Sequence, residues 1–164
     1  MPSPKASPPS PLLPAILTGQ AAGLIMAVVI ILVFMVFLGK APLYPVQVIG
    51  SAWFGEAALQ GTNVPALLAG LVLHQAGPSL IWGILFGLLV PFFHIETVKE
   101  SLLLGALVGI ISMIGPFLLI PYLMNARHGV DLWTREVPLF WDWAAHLVFG
   151  LSFALYPAIR ERVQ

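Results

Sequence analysis

The sequence predicts an all-α fold, an integral membrane bundle of four transmembrane helices with a short interfacial segment between the first and second. Three observations predict it. Only 9% of the 164 residues are charged and 59% are hydrophobic, against about 25% charged in an ordinary soluble domain. The charges are unevenly placed, with none in 6–39, 57–95, 101–126 or 143–159. Each of those windows reaches the range of roughly 17–25 residues with which a helix crosses ~30 Å of hydrocarbon. Finally, small residues recur at helical spacing within the windows, as helices that pack in lipid require.

Residues 1–14 hold six prolines and three serines and read as an extended Pro/Ser-rich tail. The apolar run behind it exceeds the ~7–15 residues of a signal h-region, so the first helix is expected to stay attached. Residues 15–159 then form a single four-helix transmembrane domain, and 160–164 a short polar C-terminal tail. Helix 1 spans 15–38, with Ala15, Gly19, Gly23 and Ala27 as a smooth stripe and Ile25, Val29, Phe34 and Phe37 facing lipid or a partner. The connection 39–64 is too broken by Pro42 and Pro45 to span, and its Tyr44, Trp53 and Phe54 suit a segment lying in the interface.

Helix 2 spans 66–93, with a kink expected at Pro78 and a contact face at Gly83 and Gly87. Helix 3 spans 102–124, with Ser101, Gly105 and Gly109 as its small stripe and Pro116 and Pro121 disturbing its second half. Residues 125–140 read as a polar loop, and helix 4, with Gly150 on its small face, spans 141–159. With the N-terminus inside, Lys5, Lys99, Arg160 and Arg162 lie inside and Lys40, Arg127 and Arg135 outside. That bias favours both termini in the cytoplasm of a multi-pass bacterial inner-membrane protein.

Composition excludes several classes. A net charge of zero and no basic run argue against a nucleic-acid partner. The absence of cysteine removes disulfides, thiolate metal sites and iron–sulfur clusters. No phosphate-binding glycine loop and no Ser–His–Asp arrangement is legible, so no catalytic set is expected. Ser79, Ser112 and Ser152 fit helix packing, and no closely spaced metal-ligand motif is present.

Two ionisable side chains fall inside the expected spans, His74 and His146. Such groups must find partners in hydrocarbon and are functional candidates by default. Counted from Pro65 and Trp141, both sit roughly 8–13 Å inside the same boundary and can be neighbours. Around them lie Gln75, Tyr122 and Asp142, the last one turn before His146 and placed to hold its Nδ1 proton. Three roles stay open for the pair: interhelical hydrogen bonds, axial ligation of haem b or a chlorin, or a Zn or Cu site with Asp142. A quinone or proton-relay role, with His and Tyr donating to a carbonyl, completes the set. No cofactor is required by the sequence, and bound lipid is expected. His94 and His128 read as solvated loop residues, and Glu56 as a cap or a partner of Lys40.

The segments Tyr44–Ala52, Ile81–Gly87 behind His74, and Ala145–Gly150 resemble a group of uncharacterised small bacterial membrane proteins with four helices. The resemblance implies a four-helix inner-membrane fold and no activity. The expected function is that of a non-catalytic accessory subunit of a larger respiratory or photosynthetic complex, its partners other integral membrane subunits and the lipid bilayer. A haem- or pigment-binding electron-transfer subunit using His74 and His146, and a small transporter or channel, are the alternatives.

Overall fold

Helix 1 begins where the prolines thin out. The computed structural model describes residues 10–163, so the first nine residues of the Pro/Ser-rich tail and Gln164 lie outside the described residues. Helix α1 runs Leu12–Phe37 and takes in Pro14, which a first turn tolerates because its N–H would have no partner there. It ends at Gly39, whose φ of 61° lets the Lys40 N–H return to the Phe34 carbonyl at 2.9 Å. The remaining helices are α2 (Tyr44–Phe54), α3 (Val64–His74), α4 (Leu80–Phe93), α5 (Val98–Ser112), α6 (Ile120–His128), α7 (Leu132–Glu136), α8 (Leu139–Leu151) and α9 (Tyr156–Val163). Among the described residues there is no strand. Four helical stretches are long and apolar enough to cross a membrane: Leu12–Phe37, Val64–Phe93, Val98–His128 and Leu139–Val163.

Glycine faces set the packing. A Cβ at Gly19 would stand 2.8 Å from the Gly83 Cα, and one at Gly87 would stand 2.8 Å from the Ala15 Cβ, so α1 and α4 touch backbone to backbone. Gly105, Gly109 and Gly150 make the same kind of crossing between α5 and α8. At the end holding both termini, Phe86, Phe149, Phe153 and Tyr156 form a dense aromatic core, with the Phe86 and Phe153 centroids 4.5 Å apart.

The other end is built differently. Two of the long helices break near their middles, each at a Gly-Pro pair. Between α3 and α4 lies a π-helical turn, Gln75–Ser79, with Gly77 at ψ −105°. The residue before a proline is pushed out of the helical region, and glycine yields most easily. Between α5 and α6 a second π-turn spans Gly115–Leu119 around Pro116. Beyond these breaks α3 packs on α2, and α6 packs on α7 and α2, while α4 and α5 keep to α1 and α8.

Helix α2, the segment expected to lie in the interface, fills the space that this splaying opens. Pro45, Val46, Gln47, Val48, Gly50 and Ser51 are buried. Gly50 meets the Ala66 carbonyl, and Gly70 meets the Val46 carbonyl. Phe34, expected to face lipid or a partner, is fully buried in the cluster of Val33, Val48 and Val137 beneath α2. Other boundaries move outward. The third long helix starts at Val98, where Thr97 and Glu100 form a capping box, and continues to His128. The expected polar loop 125–140 therefore contains the end of α6 and all of α7. The fourth bends through Ser152–Leu155 ahead of Pro157 and continues through Arg160 to Val163, where a polar tail is expected.

A polar cap closes this end. Tyr44 donates to Glu136 at 2.7 Å, Arg135 bridges Glu136 at 2.8 Å and Glu56 at 2.6 Å, and Lys40 lies 4.6 Å over the Tyr44 ring. Glu56 thus pairs with Arg135 rather than with Lys40. Burial and the hydrogen bond to Glu136 push the Tyr44 hydroxyl up to about 12. Burial works to raise Glu136 as well, yet bonds from Tyr44 and Arg135 and the charges of Arg135 and Lys40 outweigh it and leave its carboxyl below the ordinary value.

Candidate functional site

Splayed helices leave a cavity of about 380 Å³ under α2, between the two breaks. Its wall comes from both Gly-Pro pairs, from Ile49 and Ala52 of α2, from Trp82, Trp133 and Phe149, and from four polar side chains: His74, Ser79, Ser112 and His146. Broken backbone inside a membrane bundle is tolerated where it is buried in protein or lines a cavity, and π-turns recur at functional sites. A Cβ at Gly77 or at Gly115 would meet nothing within 4 Å, so both glycines border open space.

At the first break, Pro78 has no N–H for the His74 carbonyl four residues back. The Ser79 hydroxyl donates there instead, at 3.0 Å. Gln20 of α1 and Gln75 exchange amide bonds across the helix pair: Gln20 Nε2 donates to the Gln75 carbonyl at 3.0 Å, and Gln75 Nε2 to the Gln20 carbonyl at 3.3 Å. This exchange ties α1 to the kink and points Gln75 Oε1 at His74 Nδ1, 3.0 Å away. That oxygen only accepts, so Nδ1 carries the ring proton and Nε2 is left with a bare lone pair.

At the second break the Gly109–Gly150 crossing brings α8 so close that His146 meets Ser112. Ser112 Oγ lies 2.6 Å from His146 Nδ1 and 2.7 Å from the Gly109 carbonyl. The carbonyl can only accept, so the hydroxyl proton goes there and Nδ1–H donates to Oγ. His146 Nε2 then faces Asp142 Oδ1 at 3.6 Å, while Trp133 Nε1 donates to Asp142 Oδ2 at 3.0 Å. Asp142 therefore faces Nε2, and Ser112 takes the Nδ1 side that the sequence reading assigned to Asp142. A serine, a histidine and an aspartate do meet here, although their order along the chain shows no motif. The serine proton is committed to a backbone carbonyl, and the arrangement holds a proton between α5 and α8.

The two histidines line one cavity without a hydrogen bond between them. Tyr122 is not part of it: at 68% exposure it lies on the outer surface. His128 reaches the Ala52 carbonyl at 3.2 Å as α6 ends, and His94 is an exposed left-handed helix cap. Among the described residues no group of three His, Cys, Asp or Glu side chains can hold a metal ion. An axial pair for haem is not presented either, since both nitrogens of His146 face protein groups. Sequence reasoning missed Gln20, Ser79 and Ser112. Their signal was a polar side chain within one turn of a Gly-Pro pair, or across a glycine face from one. Comparison with protein-family models, with curated proteins and with solved structures yields no match.

Proposed function

We propose that this chain is a multi-pass protein of the bacterial inner membrane, both termini cytoplasmic, that retains a small lipophilic molecule within its bundle. One observation carries the reading: two helices broken at Gly-Pro pairs enclose a cavity of about 380 Å³ whose few polar groups converge from α3, the first π-turn, α5 and α8. That volume lies at the lower end of the ~300–1,000 Å³ usual for ligand sites, enough for one ring system and a short chain. Packing alone does not call for the arrangement, because an unbroken pair of helices would close the space. The exposed apolar faces of α1, α3 and α6 suit lipid and a partner subunit equally, and so do not favour the accessory-subunit reading.

The test is native mass spectrometry of the protein released from its own membrane in mild detergent. A small-molecule adduct is expected on the wild type and absent from Gly115→Leu, which adds a branched side chain to the cavity wall. A wild-type chain that carries only phospholipid, identical in amount to the variant, would overturn the proposal.

A further inference from the structure

Resting on that reading, we infer that the cavity selects an occupant with a ring hydroxyl, a phenol or hydroquinone, over one that offers only a carbonyl or ether oxygen. The deciding group is His74. The backbone carbonyl of Gln20 can only accept, so the Gln75 amide must present its nitrogen to Gln20 and its oxygen to His74. Gln20 Oε1, 3.3 Å from the same Gln75 nitrogen, fixes that orientation a second time. His74 is thereby held with its proton on Nδ1, and among the described residues no donor reaches Nε2. An occupant that brings a hydroxyl completes this nitrogen. A quinone carbonyl would set lone pair against lone pair, so the histidine-donor role expected from the sequence is reversed. The remaining wall is apolar and aromatic, with Ile81, Trp82, Leu119, Trp133 and Phe149, and gives a ring its contact area. An occupant that seals this acceptor from water without pairing it pays for its desolvation, whereas a hydroxyl replaces the lost water bond.

A redox-inert matched pair tests this: 4-heptylphenol and its methyl ether, titrated into the protein in lipid nanodiscs, with tryptophan emission as readout because Trp82 and Trp133 line the site. After correction for partition into empty nanodiscs, the phenol is expected to bind about tenfold more tightly, the ratio that one hydrogen bond supplies. His74→Leu should remove the preference and bring the phenol and ether affinities together. Histidine-selective nitrogen NMR of the unmutated protein gives the second reading, independent of any variant. An unprotonated His74 Nε2 whose resonance moves on addition of phenol, and not of ether, is expected. Equal binding of both probes, with Gly115→Leu weakening both, would overturn the hydroxyl selection and leave the cavity standing. Failure of both probes to bind would overturn the hydroxyl selection and the cavity reading together.

Discussion

At the scale of single residues, hydrogen-bond inventories decide more than charge does. Asp142 has one oxygen on Trp133 Nε1 at 3.0 Å and the other facing an unprotonated histidine nitrogen at 3.6 Å. Two acceptors face each other, and the contact is favourable only with a proton between them. Asp142→Asn supplies one: its Oδ1 keeps the tryptophan bond and its Nδ2–H points at His146. The variant is therefore expected to unfold in micelles within about 0.5 kcal/mol of wild type, while Asp142→Ala, which strands a buried indole N–H, loses about 1–3 kcal/mol. Matched losses in the two variants would show that a carboxylate charge is needed, against this account. His146 was legible in the sequence because ionisable groups inside apolar windows are rare, and Asp142 because it stands one turn before it. Ser112 was not, since a serine one turn from a small-residue stripe reads as packing until the partner helix is known.

At the scale of elements, the helix count and the Pro78 break follow directly from the sequence, whereas the role of α2 does not. Eleven residues with a proline and three aromatics read as an interfacial segment, and no local signal tells such a segment from a buried one. The deciding information is long-range: Gly50 and Gly70 let α2 and α3 approach until each glycine touches a backbone carbonyl of the other helix. Gly70→Leu drives a side chain into the Val46 carbonyl, which cannot yield. It should cost about 1–3 kcal/mol and raise the accessibility of a cysteine placed at Val48. An unchanged melting midpoint and a protected Val48→Cys would mean that α2 does not rest on α3.

The cap over α2 has a pH window of its own. Glu136, whose carboxyl is held below its ordinary 4.5, stabilises the cap above that value and stops doing so as pH falls through its folded value. Tyr44, raised from 10.0 to about 12, stabilises it below pH 10 and stops between about 10 and 12. The thermal midpoint is expected to be flat between these limits. Tyr44→Phe should start lower and lose the alkaline fall; an alkaline fall of the same size in the variant would assign it to other groups.

At the scale of the molecule, one end is a close-packed aromatic core and the other is splayed, bridged by α2 and roofed by charges. Sequence shows the ingredients of this polarity, Gly-Pro pairs at corresponding depths of two helices, but not that both breaks turn toward one cavity. That depends on which faces α1 and α8 leave free. Orientation in the bilayer rests on a thin margin. Counted along the sequence, four Lys or Arg belong to the segments on the side of the termini, Lys5, Lys99, Arg160 and Arg162, and three to those on the cap side, Lys40, Arg127 and Arg135. The cap cations pair with Glu136, Glu56 and the Trp53 ring once folded, yet topology is set during insertion, when Lys and Arg act regardless of their later partners. A C-terminal reporter should therefore be active only as a cytoplasmic fusion. Because the margin is one charge, Gln60→Lys combined with Thr62→Lys, both in the exposed turn ahead of α3, reverses it to five against four. This double variant should place a measurable share of C-termini on the far side of the membrane. A wild-type fusion found outside would overturn the orientation; a double variant still wholly inside would show that the bundle's insertion order, rather than the charge count, sets it.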